Sequence, residues 1–367
     1  MYECGVQALV DGHTQVSHNY ALKIVNLQES SRSTGQGNDP DAFLERKMRE
    51  CLLIRHVQHE GICNYVDHFW IIPRDGRPTS MDPAEFTDSK ICLLMELVTP
   101  HPPPYWPPGR APPADLFDVA IANVLTIEDI KAGMAQVGKT LLFMHLLNNP
   151  STQMLAIVHR DIKPENIVFH WDPETHRVFA KILDFGVSRL IGTTSSQRGT
   201  TFVGTEAYCA PEIQPHTSHD HRVDVFSFGM TLAVLIGSEV PFRTAVSGPS
   251  FQHKVRGYDS HETPIYCCPL WPGGSQAYPP CDNGAFWNAR FQQPGVAGQF
   301  ETPGAEAVRG LILGLCDANP DTRSRLEVAL ANPWWGEHAL TQAQFNAIQK
   351  RAEETNALRG AAAGCSI

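Results

Sequence analysis

The run His159-Arg160-Asp161-Ile162-Lys163-Pro164-Glu165-Asn166 puts three kinds of reactive polar side chain on one short stretch. A carboxylate can accept a proton from an attacking hydroxyl. An ammonium two residues later can offset charge on a moving group. A carboxamide oxygen can bind a hard metal ion. Each suits a different part of phosphoryl transfer, where positioning and charge stabilisation do most of the work. Asp184-Phe185-Gly186 follows, and then Gly204-Thr205 and Ala210-Pro211-Glu212.

Such a loop needs elements that hold it still. Residues 20–27 (YALKIVNL) read as a strand, and glycine, serine and asparagine at 30–40 mark a loop. Phe43, Leu44, Met48, Leu52 and Leu53 lie at helical spacing, so 41–56 is predicted as a helix. Residues 62–72 and 91–98 are strand-like. Together they make a small sheet with one helix. The proline-rich run 100–113 (PHPPPYWPPGRAPP) can continue neither a helix nor a central strand. Helices are expected over 114–148, 222–237, 305–316 and 324–332, with a polar helix within 337–367. Residues 243–303, rich in Gly, Pro, Tyr, Trp and Cys, are expected to form an irregular insertion.

Composition narrows the class. The 367 residues are 42% hydrophobic and 19% charged, a globular balance. The net charge of -10, from 29 basic and 39 acidic residues, offers no basic stripe for nucleic acid and mildly favours basic substrates. No apolar run is long enough for a membrane span, and MYECGVQALVDGH lacks the pattern of a signal peptide. Ten scattered cysteines suit a reducing intracellular compartment, cytoplasm or nucleus. Cys267, Cys268 and Cys281 lack the paired short spacing of a zinc site.

The ordered motifs resemble the eukaryotic protein kinase family in its serine/threonine branch. Phe202-Val203-Gly204-Thr205 and Pro333-Trp334 are similar to the calcium/calmodulin-dependent and checkpoint kinases. The resemblance covers about residues 5–335. It implies an α+β, two-lobed fold: a small β-rich N-lobe with the hinge over 1–98, a mainly helical C-lobe over 99–336, and a tail over 337–367. It implies ATP and Mg2+ as cofactors, protein substrates bearing Ser or Thr, and an upstream activating kinase as a partner.

The resemblance also assigns roles by position. Ala21-Leu22-Lys23 is similar to the strand motif whose lysine binds the α and β phosphates. Glu50 is its expected helix partner, with Glu45 as the alternative. Met95 would be the gatekeeper, and backbone groups of Glu96 and Val98 would bond the adenine edge. Val6, Ala21 and Val168 would supply apolar faces. Asp161 would orient the hydroxyl and accept its proton, and Lys163 would stabilise the phosphoryl group. Asn166 and Asp184 would bind magnesium, with Gly186 completing the second motif. His159 would pack against Phe185. Arg160 is expected to receive a phosphate on Thr201, with Thr200 as the rival. Thr205 would shape the substrate site, and Lys163 with Thr205 points to Ser/Thr rather than Tyr. Glu212 and Arg323 are expected to form a buried ion pair, and Asp224 to bond the backbone of the catalytic loop.

One part of the family pattern is missing. The phosphate-covering loop has only Gly5 and Val6 in its neighbourhood, and Gly12 falls in the next turn. Because the chain starts at Met1, the first strand and first two glycines have no place. The missing glycines and long insertions define the competing reading, a pseudokinase or interaction scaffold. Lys23, Asp161, Asn166 and Asp184 stand against it, because a scaffold has no physical need of all four.

Overall fold

The computed structural model describes residues 2–10, 13–26, 57–71, 90–122, 124–147, 156–191, 208–210, 212–213, 219–237, 255–258, 264–266, 305–317 and 319–364. They divide into two compact units. One is Met1–Thr99 with Leu183–Gly186; the other is Pro100–Ile182 with Val187–Ile367.

The smaller unit is a four-stranded sheet of β1 (Tyr2–Val10), β2 (His13–Asn26), β3 (Tyr65–Ile71) and β4 (Lys90–Glu96), in the order β1-β2-β4-β3. All three ladders are antiparallel. The strand predicted at 20–27 begins earlier, at His13, because its first half pairs with β1. That pairing sets Val6 opposite His18, with a register shift directly after it. On the other side of β2, Ala21 lies opposite Met95 and Lys23 opposite Leu93. Residues two apart on a strand share a face, so Ala21 and Lys23 present to the same side. Ala21, Cys63 and Met95 form a small core with Leu97, Val98 and Leu183 packed against it. The helix predicted at 41–56 lies outside the described residues.

The larger unit contains α1 (Leu116–Ile121), α2 (Ile127–Leu146), the three-residue β5 (Ala156–Val158), and the hairpin β6 (Ile167–Trp171) with β7 (Val178–Ile182). Then come β8 (Arg189–Ile191), α3 (Arg222–Gly237), β9 (Val255–Tyr258), β10 (Pro264–Tyr266), α4 (Ala305–Leu315), α5 (Leu326–Leu330) and α6 (Gln342–Gly364). β5 pairs with β8, and β9 pairs with β10. A strand-rich small unit and a helical large one define a two-lobed α+β fold.

Two expectations need correction here. The helix expected over 114–148 is two helices, because Asp115 caps α1 and Thr126 caps α2. Thr126 forms a capping box with Asp129, and its extended backbone (φ -81, ψ 159) interrupts the helix. The insertion 243–303, expected to be irregular, contains the antiparallel pair β9 and β10. The proline-rich run forms turns instead of helix or strand, closed by Trp106 N–H to Pro103 O (2.9 Å) and Arg110 N–H to Pro107 O (3.2 Å).

α2 is the central support of this unit. Ile130, Met134, Val137, Leu141 and Leu142 are buried along it. Its close approach to the β6–β7 hairpin requires Gly133, where a Cβ would sit 2.1 Å from the Phe169 ring. Trp171, at the end of β6, donates its indole N–H to Asp129 at 3.0 Å, tying the hairpin to the start of α2.

Candidate active site

The loop that carries Asp161, Lys163 and Asn166 runs between β5 and β6. It leaves β5 through His159 and Arg160 and re-enters the sheet after a 3-10 turn, Pro164–Asn166. Proline at the first position of that turn suits a φ already near -65° and a missing N–H. Within the loop, Lys163 Nζ lies 3.0 Å from Asp161 Oδ2. Asn166 Nδ2 donates to the same carboxylate oxygen and to the Asp161 main-chain oxygen, both at 2.8 Å. Asp161 N–H donates to His159 Nδ1 at 3.3 Å. The structure thus brings Asp161, Lys163 and Asn166 into one cluster, with the Asp161 carboxylate partly open to solvent.

What holds the cluster is a buried aspartate. Asp224, fully buried on α3, accepts from His159 N–H at 2.8 Å and Arg160 N–H at 2.7 Å. His145 Nε2 lies 3.0 Å from the same carboxylate. Burial opposes ionisation of Asp224. The His145 hydrogen bond, the charges of His145 and His159 and the Arg160 N–H outweigh it, keeping the carboxyl below its usual range. The His221 ring lies 5.0 Å from that of His145. Burial, and then the neighbouring His145, push His221 down to about 4.

Arg160 adopts a left-handed backbone (φ 67) that turns two successive N–H groups onto Asp224. Such a conformation costs a non-glycine residue about 1 kcal/mol or more. Its guanidinium donates to the Val187 main-chain oxygen, with Nε at 2.7 Å. Thr200, Thr201 and Thr205 lie outside the described residues. Ser188 Oγ donates to His159 O at 3.2 Å, a second tie between the loop and the segment after Gly186.

Arg323 is fully buried and holds Glu212 with two parallel bonds, 2.6 and 2.8 Å. It also donates to Arg222 O and Asp317 O, so its fork is well satisfied. Val168, 1% exposed, lies on β6 opposite Lys181.

In the smaller unit, Lys23 Nζ lies 2.6 Å from Asp184 Oδ1. Asp184 also has a left-handed backbone (φ 55), and its carboxylate accepts from Gly186 N–H at 3.0 Å. Phe185 is buried. Met95 is buried beside Ala21, and Glu96 ends β4. Glu96 N–H donates to Asn64 O at 2.8 Å. The side chain of Val6 and all of Glu45 and Glu50 lie outside the described residues.

Sequence reasoning missed four contributors. His145 contacts Asp224, His221 lies against His145, and Cys63 and Asn64 contact Glu96. His145 sits on the apolar helix α2, where a lone histidine gives no sequence signal of its role.

Asn166 in the larger unit and Asp184 in the smaller one each carry an oxygen donor of the kind a hard divalent cation takes. Asn166 spends its amide nitrogen on Asp161, so its other polar atom is an oxygen. Asp184 is a carboxylate 45% exposed. With a proton acceptor and an ammonium on one loop, this is the equipment of a phosphotransferase. The chain belongs to the protein kinase family, whose Protein kinase domain matches residues 7–335. It is similar to the serine/threonine-protein kinase cds1 of Schizosaccharomyces pombe, at 27% identity over 62% of this chain and 40% of that protein. It is similar to the DNA damage response protein kinase DUN1 of Saccharomyces cerevisiae, at 23% over 86% and 50%. Myosin light chain kinase A of Dictyostelium discoideum is 28% identical over 62% and 61%. These matches span about half the length of the relatives. Among the described residues, no helix is long and apolar enough to cross a membrane.

Proposed function

We propose that this chain transfers the γ phosphate of ATP to serine and threonine hydroxyls of protein substrates. The observation that carries the reading is the Asp161 carboxylate, held between Lys163 Nζ at 3.0 Å and Asn166 Nδ2 at 2.8 Å on a loop anchored by Asp224. Asp161 orients the attacking hydroxyl and takes its proton. Lys163, already beside that carboxylate, offsets charge on the phosphoryl group. Lys23 binds the α and β phosphates, and Glu50 holds it extended. Asn166 and Asp184 are the residues that would hold Mg2+. When bound, the ion neutralises phosphate charge. Met95, Glu96, Val98, Ala21, Val168 and Val6 receive the adenine ring.

Lys163 and Thr205 support Ser/Thr over Tyr as the acceptor, and one of the named relatives, cds1, is a serine/threonine-protein kinase by description. Phosphate on Thr201, added by an upstream kinase, would compete with the Val187 carbonyl for Arg160. His159, Phe185, Gly186, Glu212, Asp224 and Arg323 serve as framework. We place the activity in the cytoplasm or nucleus.

The test is magnesium-dependent transfer from labelled ATP to a Ser/Thr peptide library, with Asp161→Asn as control. Transfer that disappears in the control is the expected result. A folded chain with no transfer would support the scaffold reading instead.

A further inference from the structure

The last turn of α2 is held from two sides. Residues two apart on a helix point about 200° from each other, so His145 faces away from Phe143 and Leu147. On its own side, His145 Nε2 lies 3.0 Å from the buried Asp224 carboxylate. That carboxylate takes the His159 and Arg160 N–H groups of the loop. On the other side α6 packs against α2. α6 follows the residues 7–335 that match the family.

α6 is a polar helix with one buried edge. Phe345 and Ile348 are half-buried, and Ala352, Thr355 and Asn356 are buried. Their spacing of three and four places them on one face. Arg351, beside this edge, sets its guanidinium over the Phe143 ring, 5.7 Å from the centroid. Asn356 makes the polar contact: its Nδ2 donates to Leu147 O at 2.9 Å.

Leu147 is the residue at which α2 stops. The last carbonyls of a helix have no partner inside it, and a buried one needs a donor from elsewhere. Leu147 is buried, and its own N–H turns back to His145 O. One peptide residue thus links Asn356 on α6 to the backbone of His145. The cap fixes where α2 ends, and with it the reach of the His145 ring to Asp224. Packing alone calls for no amide at 356, since an apolar side chain is buried without a polar cost. We infer that Asn356 is a positioning residue for phosphoryl transfer: it fixes the end of α2, and through His145 and Asp224 it holds the loop bearing Asp161. This rests on the activity proposed above.

Three variants of the full chain test it. Asn356→Ala removes the donor and leaves a good helix former. Asn356→Leu removes the donor but keeps the volume. Arg351→Met disturbs the same edge of α6 without touching Leu147. Steady-state transfer to a Ser/Thr peptide gives kcat and the KM for ATP, and hydrogen exchange reads local opening at single amides. Both Asn356 variants should lower kcat about three- to tenfold, the worth of one hydrogen bond, at unchanged KM for ATP. Exchange at His159 and Arg160 N–H should rise by a similar factor. Ala180 N–H, which donates to Gln136 Oε1 further up α2 at 3.1 Å, should exchange as in the wild type. Arg351→Met should leave kcat within about twofold. A rise in exchange that includes Ala180 marks a general loss of stability and overturns the positioning role. So does a kcat that Asn356→Leu leaves at the wild-type level, or an equal loss in Arg351→Met. A wild-type chain without transfer overturns the proposed activity, and exchange at His159 and Arg160 in the variants still decides whether Asn356 holds the loop.

Discussion

The catalytic loop and the hinge are anchored in different ways. The loop hangs from one fully buried carboxylate: Asp224 takes two successive N–H groups and is itself held by His145. The hinge residue Glu96 is held by a partly buried amide, two main-chain groups and a thiol. A charged acceptor in a buried site makes strong bonds and is costly to leave unmet. The Glu96 carboxylate is also a charged acceptor, but it is only partly buried, so its bonds to Asn64 contribute less. The loop thus hangs from a buried charge within the larger unit, while Glu96 is held by partly buried groups within the smaller one.

That difference predicts separable effects. The largest is Asp161→Asn, which should lower the transfer rate about 10²–10⁴-fold, the range of general-base catalysis, with little change in ATP affinity. Single-turnover kinetics beside calorimetry separates the two quantities. A parallel fall in affinity would mean that loop and hinge do not act independently.

Next is the Arg323–Glu212 ion pair. Arg323→Ala leaves Glu212 without its bidentate partner and removes a fully buried guanidinium from four acceptors. Urea unfolding should show a loss of about 3–5 kcal/mol. A loss below about 1 kcal/mol would show that the larger unit is less dependent on buried charge than the loop suggests.

Acid should weaken the loop anchor, while neutral pH leaves it intact. His221 stays neutral in the folded chain down to about pH 4, against an ordinary value of 6.5. Between these values the unfolded chain binds the extra proton, so stability falls as pH drops from about 6.5 to 4 and is level above. Asp224 acts in the same direction at lower pH. Its depressed pKa contributes stability above the unfolded carboxylate range, lost as pH falls through the folded value. His221→Gln should flatten the slope between pH 4 and 6.5 in melting experiments, and an unchanged slope would remove His221 from the account.

The smallest effect on stability is expected in the smaller unit. The Lys23–Asp184 pair is partly exposed, at 23% and 45%, so Lys23→Met should change unfolding free energy by less than about 1 kcal/mol. Nucleotide binding should nevertheless weaken, because the phosphates lose a cation. A large stability loss with unchanged binding would make Lys23 a structural residue.

How much of this was legible in sequence depended on spacing. Asp161, Lys163 and Asn166 lie within six positions, and a short loop brings such neighbours together under many folds. Asp224 and Arg323 were recognised only because each sits in a family pattern. Asn64 carries no such pattern, and its partner Glu96 is 32 positions away. The register of β3 against β4, and the turn before it, decide that they meet. The break between α1 and α2 was written locally, in Asp115 and Thr126 with Asp129, yet the apolar run around it reads as one helix until the caps are seen.

By itself, the amino-acid sequence determined the family, the two-part α+β organisation and the identities of the reactive groups, since these reside in contiguous motifs and local periodicity. Only the tertiary structure decided which groups meet: His145 with Asp224, Asn64 with Glu96, and Arg160 with the Val187 carbonyl. The physical reason is the range of the interactions. Periodicity and capping act over a few residues, whereas a hydrogen bond needs two atoms within about 3 Å and is indifferent to the length of chain between them.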